Sequence, residues 1–178
     1  MRSGFFTGVL DLDDTVSALA PRLLAYGLAR TACRGIAEDI AQDALTALVR
    51  CWRRSGPPAS PDAYVFAIAK RRAGRAVIRR ALSAPLDALR GVAGDEPDAE
   101  RRYQRRTEFD AVRVALRGLP RGDREALLLR AVAGLEYTQI ATLLHASEAA
   151  VKMRISRARR RLAASLPEPL YGRRTGTA

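Results

Sequence analysis

The sequence predicts an all-α fold in which two small helical domains are joined by a flexible linker, with a helix-turn-helix in the C-terminal domain. Apolar residues recur at helical spacing through most of the chain, and no segment shows the alternation of a strand. Hydrophobic residues make up 48% of the 178 residues and aromatic residues only 6%, so aliphatic side chains must form the cores, as in helix bundles. A stretch rich in Gly, Pro and acidic residues, assigned to residues 82–107, predicts the linker.

The N-terminal domain is predicted over residues 15–81 as three helices. Apolar stripes at helical spacing indicate a first helix over residues 17–32 and a second over 36–52. A proline-rich break precedes the third helix, over 62–82. The residues expected to face the core are Leu19, Leu23, Leu24 and Leu28 in the first helix, and Ile36, Ile40, Ala44, Leu45, Leu48 and Trp52 in the second.

Polar residues of opposite character mark two surfaces of this domain. Four residues of the second helix, placed by the pattern in its first two turns where carboxylates suit the helix dipole, form an acidic face: Glu38, Asp39, Gln42 and Asp43. The third helix has six cations and no acid in its second half: Lys70, Arg71, Arg72, Arg75, Arg79 and Arg80. With a net charge of +12, these cations predict a nucleic-acid face, against the alternative of a merely solvated surface.

The C-terminal domain is predicted over residues 108–166, followed by a tail at 167–178. Its helices are expected from Phe109 to Leu119, over 125–133 with Gly134 as C-cap, and over 138–144 and 147–166. The last two lie in the segment GLEYTQIATLLHASEAAVKMRISRARRRL (134–162), which has the spacing of a helix-turn-helix. Ser147 is an expected N-cap, and His145 occupies a turn whose left-handed geometry favours glycine.

One side of the last helix is apolar and the other is basic. Val151, Ile155, Ala158 and Leu162 fall on one face, and the opposite face offers these residues: Glu148, Ala149, Lys152, Met153, Arg154 and Arg157. Small residues at the tip allow a close approach to base edges in the major groove. The helix is therefore expected to bind DNA.

Residues for catalysis, metal binding or membrane insertion are not apparent. The two cysteines, Cys33 and Cys51, do not form a disulfide framework, and His145 is the only histidine. Neither a CxxC pair nor an apolar run of membrane-spanning length occurs. We expect no catalytic residue, metal or cofactor, and a cytoplasmic protein.

Three segments together resemble the extracytoplasmic-function (ECF) sigma factors. They are AEDIAQDALTALVRCW (37–52), PDAYVFAIAKRRAGRAVIRR (61–80) and the stretch from Leu119 to Leu162, in the family's order. The resemblance implies a factor that binds core RNA polymerase and directs promoter-specific transcription initiation without being an enzyme. Its implied partners are the clamp helices of the largest polymerase subunit, the polymerase flap, promoter DNA and an anti-sigma factor, although the sequence identifies no particular anti-sigma factor.

The resemblance also implies roles for individual positions. The acidic face (Glu38, Asp39, Gln42 and Asp43) corresponds to the surface that holds the polymerase clamp helices. The basic half of the third helix, with the preceding loop 55–60, corresponds to the part that melts and reads the downstream promoter element, and residues 147–157 to the helix that enters the major groove at the upstream element. The implied DNA-binding residues are Lys70, Arg71, Arg72, Arg75, Arg79, Arg80, Ser147, Glu148, Ala149, Lys152, Arg154 and Arg157.

This chain departs from the family's pattern at three places. Arg71 and Arg75 stand where Asn and Asp are usual, His145 replaces the turn glycine, and an Ala-Ala pair (149–150) replaces Gly-Thr. Two other classes of function compete with the sigma factor. A self-sufficient helix-turn-helix regulator would bind operator DNA without polymerase, usually as a dimer on a palindrome. A DNA-processing enzyme would require an arranged catalytic site on an α/β scaffold, which the pattern does not indicate.

Overall fold

The computed structural model describes residues 11–82 and 111–166. These residues form seven helices and no strand, which confirms the predicted all-α class. The helices are α1 (Leu12–Thr31), α2 (Arg34–Ser55), α3 (Pro61–Leu82), α4 (described over 111–118), α5 (Arg121–Ala131), α6 (Tyr137–Leu144) and α7 (Glu148–Ser165). Most of the predicted linker and the predicted tail lie outside the described residues, so the exact domain limits stay a prediction. No helix within the two described stretches is long and apolar enough to cross a membrane.

The N-terminal domain is formed by α1, α2 and α3. Five of the ten predicted core residues are buried, namely Leu19, Leu23, Ile40, Ala44 and Leu48, and α3 adds Val65, Phe66, Ala69 and Ala73. Leu24, Ile36, Leu45 and Trp52 are partly buried. Leu28 was expected in the core but is 37% exposed, and the fully buried residue of that turn is Tyr26. Tyr26 lies seven residues, or about two helical turns, after Leu19 and so faces the same side of α1. Leu28 lies nine residues after Leu19 and so faces a different side.

The first two helices cross closely at Gly27. A Cβ atom built on this glycine would lie 2.9 Å from both Cα and Cβ of Ala37. Such a separation is shorter than real carbon contacts, so only glycine fits between the two backbones. Two small residues thereby fix how closely α1 and α2 pack.

The acidic face lies farther along α2 than the sequence pattern predicted. The helix begins at Arg34 rather than Ile36, and its first turn holds no acidic residue. Glu38 and Asp39 therefore lie in the second turn, and Gln42 and Asp43 in the third. The expected stabilisation by the helix dipole is wrong for these residues, because the dipole acts mainly within the first turn.

The C-terminal domain packs α4, α5, α6 and α7 around an aliphatic core. That core contains Leu116, Leu119, Leu127, Leu128, Leu129, Ile140, Val151, Ile155 and Ala158. Helix α5 begins at Arg121, directly after Pro120, and not at Glu125. Its C-cap is Val132, so the predicted cap at Gly134 is wrong; that glycine adopts a left-handed conformation (φ 65°) two residues farther on.

The predicted helix-turn-helix is present. His145 ends α6 in the left-handed region (φ 49°), as the sequence pattern predicted. The side chain of Ser147 caps α7 by accepting a hydrogen bond from the backbone N–H of Ala150 at 3.2 Å. Val151, Ile155 and Ala158 bury the inner face of α7, in agreement with the predicted stripe.

The two domains pack against each other through a buried polar cluster, which the sequence did not reveal. Glu125 of α5 accepts a hydrogen bond from the hydroxyl of Tyr26 on α1. Its other carboxylate oxygen lies 3.0 Å from Nη2 of Arg30, and these two side chains are only 6% and 3% exposed. Burial, followed by the charge of Glu125, raises the pKa of Tyr26 well above its ordinary value, so the phenol stays protonated and continues to donate.

Three further hydrogen bonds join the domains around this cluster. The guanidinium of Arg22 donates to the carbonyl oxygen of Ala133 and also lies 2.6 Å from Asp62. Gln139 donates to Oγ of Ser60 at 2.9 Å. In addition, the ammonium of Lys70 donates to the carbonyl oxygen of Leu143. We call this packing the closed arrangement.

Candidate nucleic-acid interface and docking face

The acidic face is exposed on the outer side of α2. Glu38 pairs with Arg34 one turn earlier, at 2.8 Å, and Asp43 pairs with Arg72 of α3, at 3.1 Å. Asp39 and Gln42 are exposed beside them, and Asp39 has no ion pair within the described residues. The four residues therefore form one contiguous patch, in which Asp39 is the carboxylate most available to a partner.

An apolar groove runs beside this patch, between α1 and α2. It has a volume of about 780 Å³, with Pro21, Leu24, Leu45 and Val49 among its lining residues. Glu38 and Gln42 of the acidic face also line it. An apolar groove bordered by polar residues has the character of a surface that receives a helix from another protein.

The basic half of α3 is largely exposed, as expected for a nucleic-acid surface. Arg71, Arg75 and Arg79 are exposed and have no ion pair among the residues described. Arg72 is held by Asp43, and Lys70 is half-buried against α6. The side chain of Arg80 lies outside the described residues. This surface therefore presents fewer free cations than the sequence count suggests.

A second groove, between α2 and α3, lies next to these arginines. It has a volume of about 470 Å³ and is lined by Tyr64 together with Arg50, Arg71 and Arg75. An aromatic ring among cations suits a stacked base and its phosphates. Phe66, by contrast, is fully buried and packs edge-on to Tyr26 at 5.6 Å between ring centroids, so its role is in the core.

Helix α7, the second helix of the helix-turn-helix, uses several of its polar side chains within the domain. Arg157 donates to both carboxylate oxygens of Asp123, at 3.1 and 3.3 Å, and so braces α7 against α5. Lys152 lies 2.7 Å from Glu148, and this hydrogen bond raises the pKa of Lys152, which keeps it charged. Ala149 is exposed at the tip of the helix, where a base edge could approach closely.

The guanidinium of Arg154 lies close to Gly122 in the first turn of α5. It lines, together with Arg71 and Arg75 of α3, a cleft of about 500 Å³ between the two domains. We call this space the interdomain cleft. The predicted DNA-binding surfaces of the two domains thus meet at one place in the closed arrangement.

Sequence reasoning missed the residues that create this meeting point. Glu125 and Arg30 line the interdomain cleft, and Arg121 extends from α5 until its guanidinium lies 4.0 Å from a Cβ position built on Gly74. One signal was available: Glu125 precedes an Ala-Leu-Leu-Leu run, and a carboxylate on an apolar stripe implies a buried partner. Within residues 11–82 and 111–166, no group of three or more His, Cys, Asp or Glu side chains could hold a metal ion.

Both domains match models of one protein family. A model described as Sigma-70 region 2 matches residues 15–82, and one described as Sigma-70, region 4, matches residues 109–162. Together they cover about two-thirds of the chain.

Several proteins are similar to this chain in sequence, and two of those described next are named as sigma factors. The ECF RNA polymerase sigma factor EcfG of Rhodopseudomonas palustris is 28% identical over 161 residues, which are 87% of this chain and 84% of that protein. The RNA polymerase sigma factor CnrH of Cupriavidus metallidurans is 40% identical over 81 residues, 46% of this chain and 42% of that one. An uncharacterized protein of Rhizobium meliloti is 32% identical over 73% of this chain and 33% of its own length. The chain thus spans less than half of two of these relatives.

Two solved structures share the fold. The sigma factor RpoE from Bartonella quintana, solved in complex with the anti-sigma factor NepR, gives a TM-score of 0.64 at 20% identity, over 92% of this chain and 98% of that one. CnrH, solved with the cytosolic domain of CnrY, gives 0.59 at 23% identity, over 86% and 85%. With region 2 and region 4 matched in order by domains of the expected helical fold, the chain belongs to the ECF sigma factors of the sigma-70 family.

Proposed function

We propose that this chain is a cytoplasmic sigma factor that binds core RNA polymerase and directs promoter-specific transcription initiation, without catalysing a reaction itself. The observation that carries the proposal is the pairing, in one chain, of a region 2 domain and a region 4 domain that contains a helix-turn-helix. A basic surface in each domain and an acidic face in the first support a division of labour between DNA and protein partners.

The acidic face is the proposed contact with the clamp helices of the largest polymerase subunit. Its exposure on α2 and the apolar groove beside it support this role, because the two together offer charge and a hydrophobic surface to a partner helix. Asp39 is the side chain on which we expect the contact to depend most. The helix-turn-helix domain is the proposed partner of the polymerase flap.

Promoter DNA is the proposed ligand of the basic half of α3 and of α7, the second helix of the helix-turn-helix. Arg71, Arg75 and Arg79 would contact the downstream element, with Tyr64 placed to stack on an unpaired base. Ala149 at the tip of α7 would approach the upstream element, and Arg157 would act through Asp123 by orienting the helix.

Binding to two promoter elements requires the domains to separate. Sites one turn apart on a duplex are already about 34 Å from each other. In the closed arrangement, Arg71 and Arg154 line a single cleft of about 500 Å³, which is too small to contain a duplex between them. We therefore propose that polymerase binding opens the closed arrangement. An anti-sigma factor is a further proposed partner, since the related RpoE was solved in complex with one.

Charge reversal on the acidic face tests the polymerase contact. Asp39→Arg is expected to weaken the complex with purified core polymerase at least about tenfold, because an exposed docking carboxylate becomes a repelling cation. Asp13→Arg is the matched control, since Asp13 is exposed in the first turn of α1, away from the acidic face. Affinity is measured by fluorescence anisotropy of the labelled chain. Equal affinities of the two variants would argue against docking through this face.

Run-off transcription with core polymerase and a genomic fragment library tests the function as a whole. We expect discrete transcripts that depend on the chain, and little specific DNA binding by the chain alone. A footprint with two-fold symmetry in the absence of polymerase would instead identify a self-sufficient regulator.

A further inference from the structure

The interdomain cleft has an unusual excess of positive charge. Among the described residues, six cationic side chains and one carboxylate, that of Glu125, line it. The cations are Arg30, Lys70, Arg71, Arg75, Arg121 and Arg154. Only one of the six, Arg30, is neutralised by that carboxylate. Like charges collected in a partly enclosed space repel one another, and a bound anion would remove that repulsion.

The excess of positive charge extends to buried groups beside the cleft. The Nε atom of Arg30 is buried and has no hydrogen-bond partner within the described residues. Burial, and then the nearby charge of Arg30, lower the pKa of Arg124 in the first turn of α5. A positive potential therefore extends from the cleft into the interface of the two domains.

Backbone donors add to the side chains. Helix α5 begins at the cleft with Arg121, and its N-cap, Pro120, supplies no side-chain hydrogen bond. The first N–H groups of a helix have no partner within the helix, and they favour an anion by charge and by geometry. Gly122, in this first turn, lines the cleft and keeps the backbone accessible, and the guanidinium of Arg154 lies 3.8 Å from its built Cβ position.

We propose that the interdomain cleft binds a small polyphosphate anion and that this ligand holds the two domains in the closed arrangement. Several guanidinium groups around about 500 Å³ suit an anion that concentrates three or four charges on tetrahedral groups, whereas an acidic peptide spreads its charges along a chain. Ile78 and Leu144 also line the cleft and give it an apolar edge against which a base could lie. The ligand is thus inorganic polyphosphate or a nucleoside polyphosphate.

This ligand would regulate the proposed DNA-binding surfaces. That regulatory role rests on the proposed function, whereas the binding of the anion does not. Arg71, Arg75 and Arg154 would be occupied by the ligand and withheld from DNA while the domains stay closed. Arg121 belongs to the cleft alone, because it is not among the residues assigned to DNA. It is therefore the residue of choice for a test.

Calorimetric titration of the full chain with tripolyphosphate, ATP and GTP in Mg²⁺-free buffer tests the proposal. We expect one site per chain, with the Kd raised about tenfold by Arg121→Gln, since one charge-assisted contact is lost. Arg54→Gln is the matched control: it removes the same charge from an exposed position on α2 away from the cleft. Tighter binding of ATP or GTP than of tripolyphosphate would identify a nucleotide, and equal binding an inorganic chain.

Three results would overturn the proposal. They are the absence of saturable binding by all three anions, an equal weakening by Arg121→Gln and Arg54→Gln, and tighter binding of a poly-glutamate peptide than of tripolyphosphate. Run-off transcription by the unmodified chain reports separately on the proposed function. A chain that binds tripolyphosphate but fails to support transcription would contradict that function alone, and a chain that transcribes without binding polyphosphate would contradict this site alone.

Discussion

Replacing Glu125 by glutamine is expected to separate the two domains. The substitution keeps an oxygen that can accept from the Tyr26 hydroxyl, but it removes the carboxylate charge that pairs with Arg30. That guanidinium is 3% exposed, so water does not screen it in the closed arrangement. Removing one partner of a buried ion pair costs about 3–5 kcal/mol. This cost shifts the balance between closed and open chains by at least about 100-fold.

The open chain avoids this cost because Arg30 regains contact with water when the domains part. Small-angle X-ray scattering should therefore show a larger radius of gyration for Glu125→Gln, with unchanged helical content by circular dichroism. Tyr26→Phe is the milder comparison, since it leaves the ion pair in place and removes one hydrogen bond to a charged carboxylate, which costs about 1.5–3 kcal/mol. The double variant Arg30→Met, Glu125→Gln should close again, because neither buried charge remains. An unchanged radius for Glu125→Gln alone would refute the reasoning.

Three other predictions concern the packing and the caps. Gly27→Ala should lower the free energy of unfolding by about 1–3 kcal/mol in urea denaturation, because its Cβ would lie 2.9 Å from the backbone of Ala37. Ser147→Ala should cost about 1 kcal/mol by the same assay, since it removes the side-chain N-cap of α7. Folding raises the pKa of Tyr26, so the protonated phenol contributes fully to the stability of the closed arrangement below its unfolded pKa of about 10. That contribution is lost as the pH rises through the pKa of Tyr26 in the folded chain. Scattering at rising pH should accordingly show opening only in the strongly alkaline range, and opening near neutrality would count against a protonated donor to Glu125.

The helices and their inner faces could be predicted because they depend on local pattern. Val151, Ile155 and Ala158 repeat at helical spacing, and burial of that face follows directly from amphipathicity. Ser147 as an N-cap and His145 in a left-handed turn also follow from residues adjacent in sequence. The N-terminal ends of α2 and α5 were less accurate, because polar residues in the first turn interrupt the apolar pattern without ending the helix.

Local pattern could not predict whether each candidate side chain is free or held in an ion pair. The sequence shows that Arg72 and Arg157 are cationic, but the carboxylates that hold them, Asp43 and Asp123, come from other helices. The packing of the two domains depends on Tyr26 and Glu125, which are 99 residues apart, so no local pattern could pair them. The position of Glu125 within the apolar stripe of α5 indicated that this carboxylate has a buried partner, but not which residue the partner is.

The ion pair between Asp43 and Arg72 makes the acidic face and the basic half of α3 electrically dependent on each other. Because the pair is about half exposed, its own contribution to stability is small, and a cation presented by a bound protein can compete for the carboxylate. The guanidinium released by that competition becomes an additional donor for phosphate. A substitution of Asp43 therefore alters both surfaces at once, whereas a substitution of Asp39 alters only one.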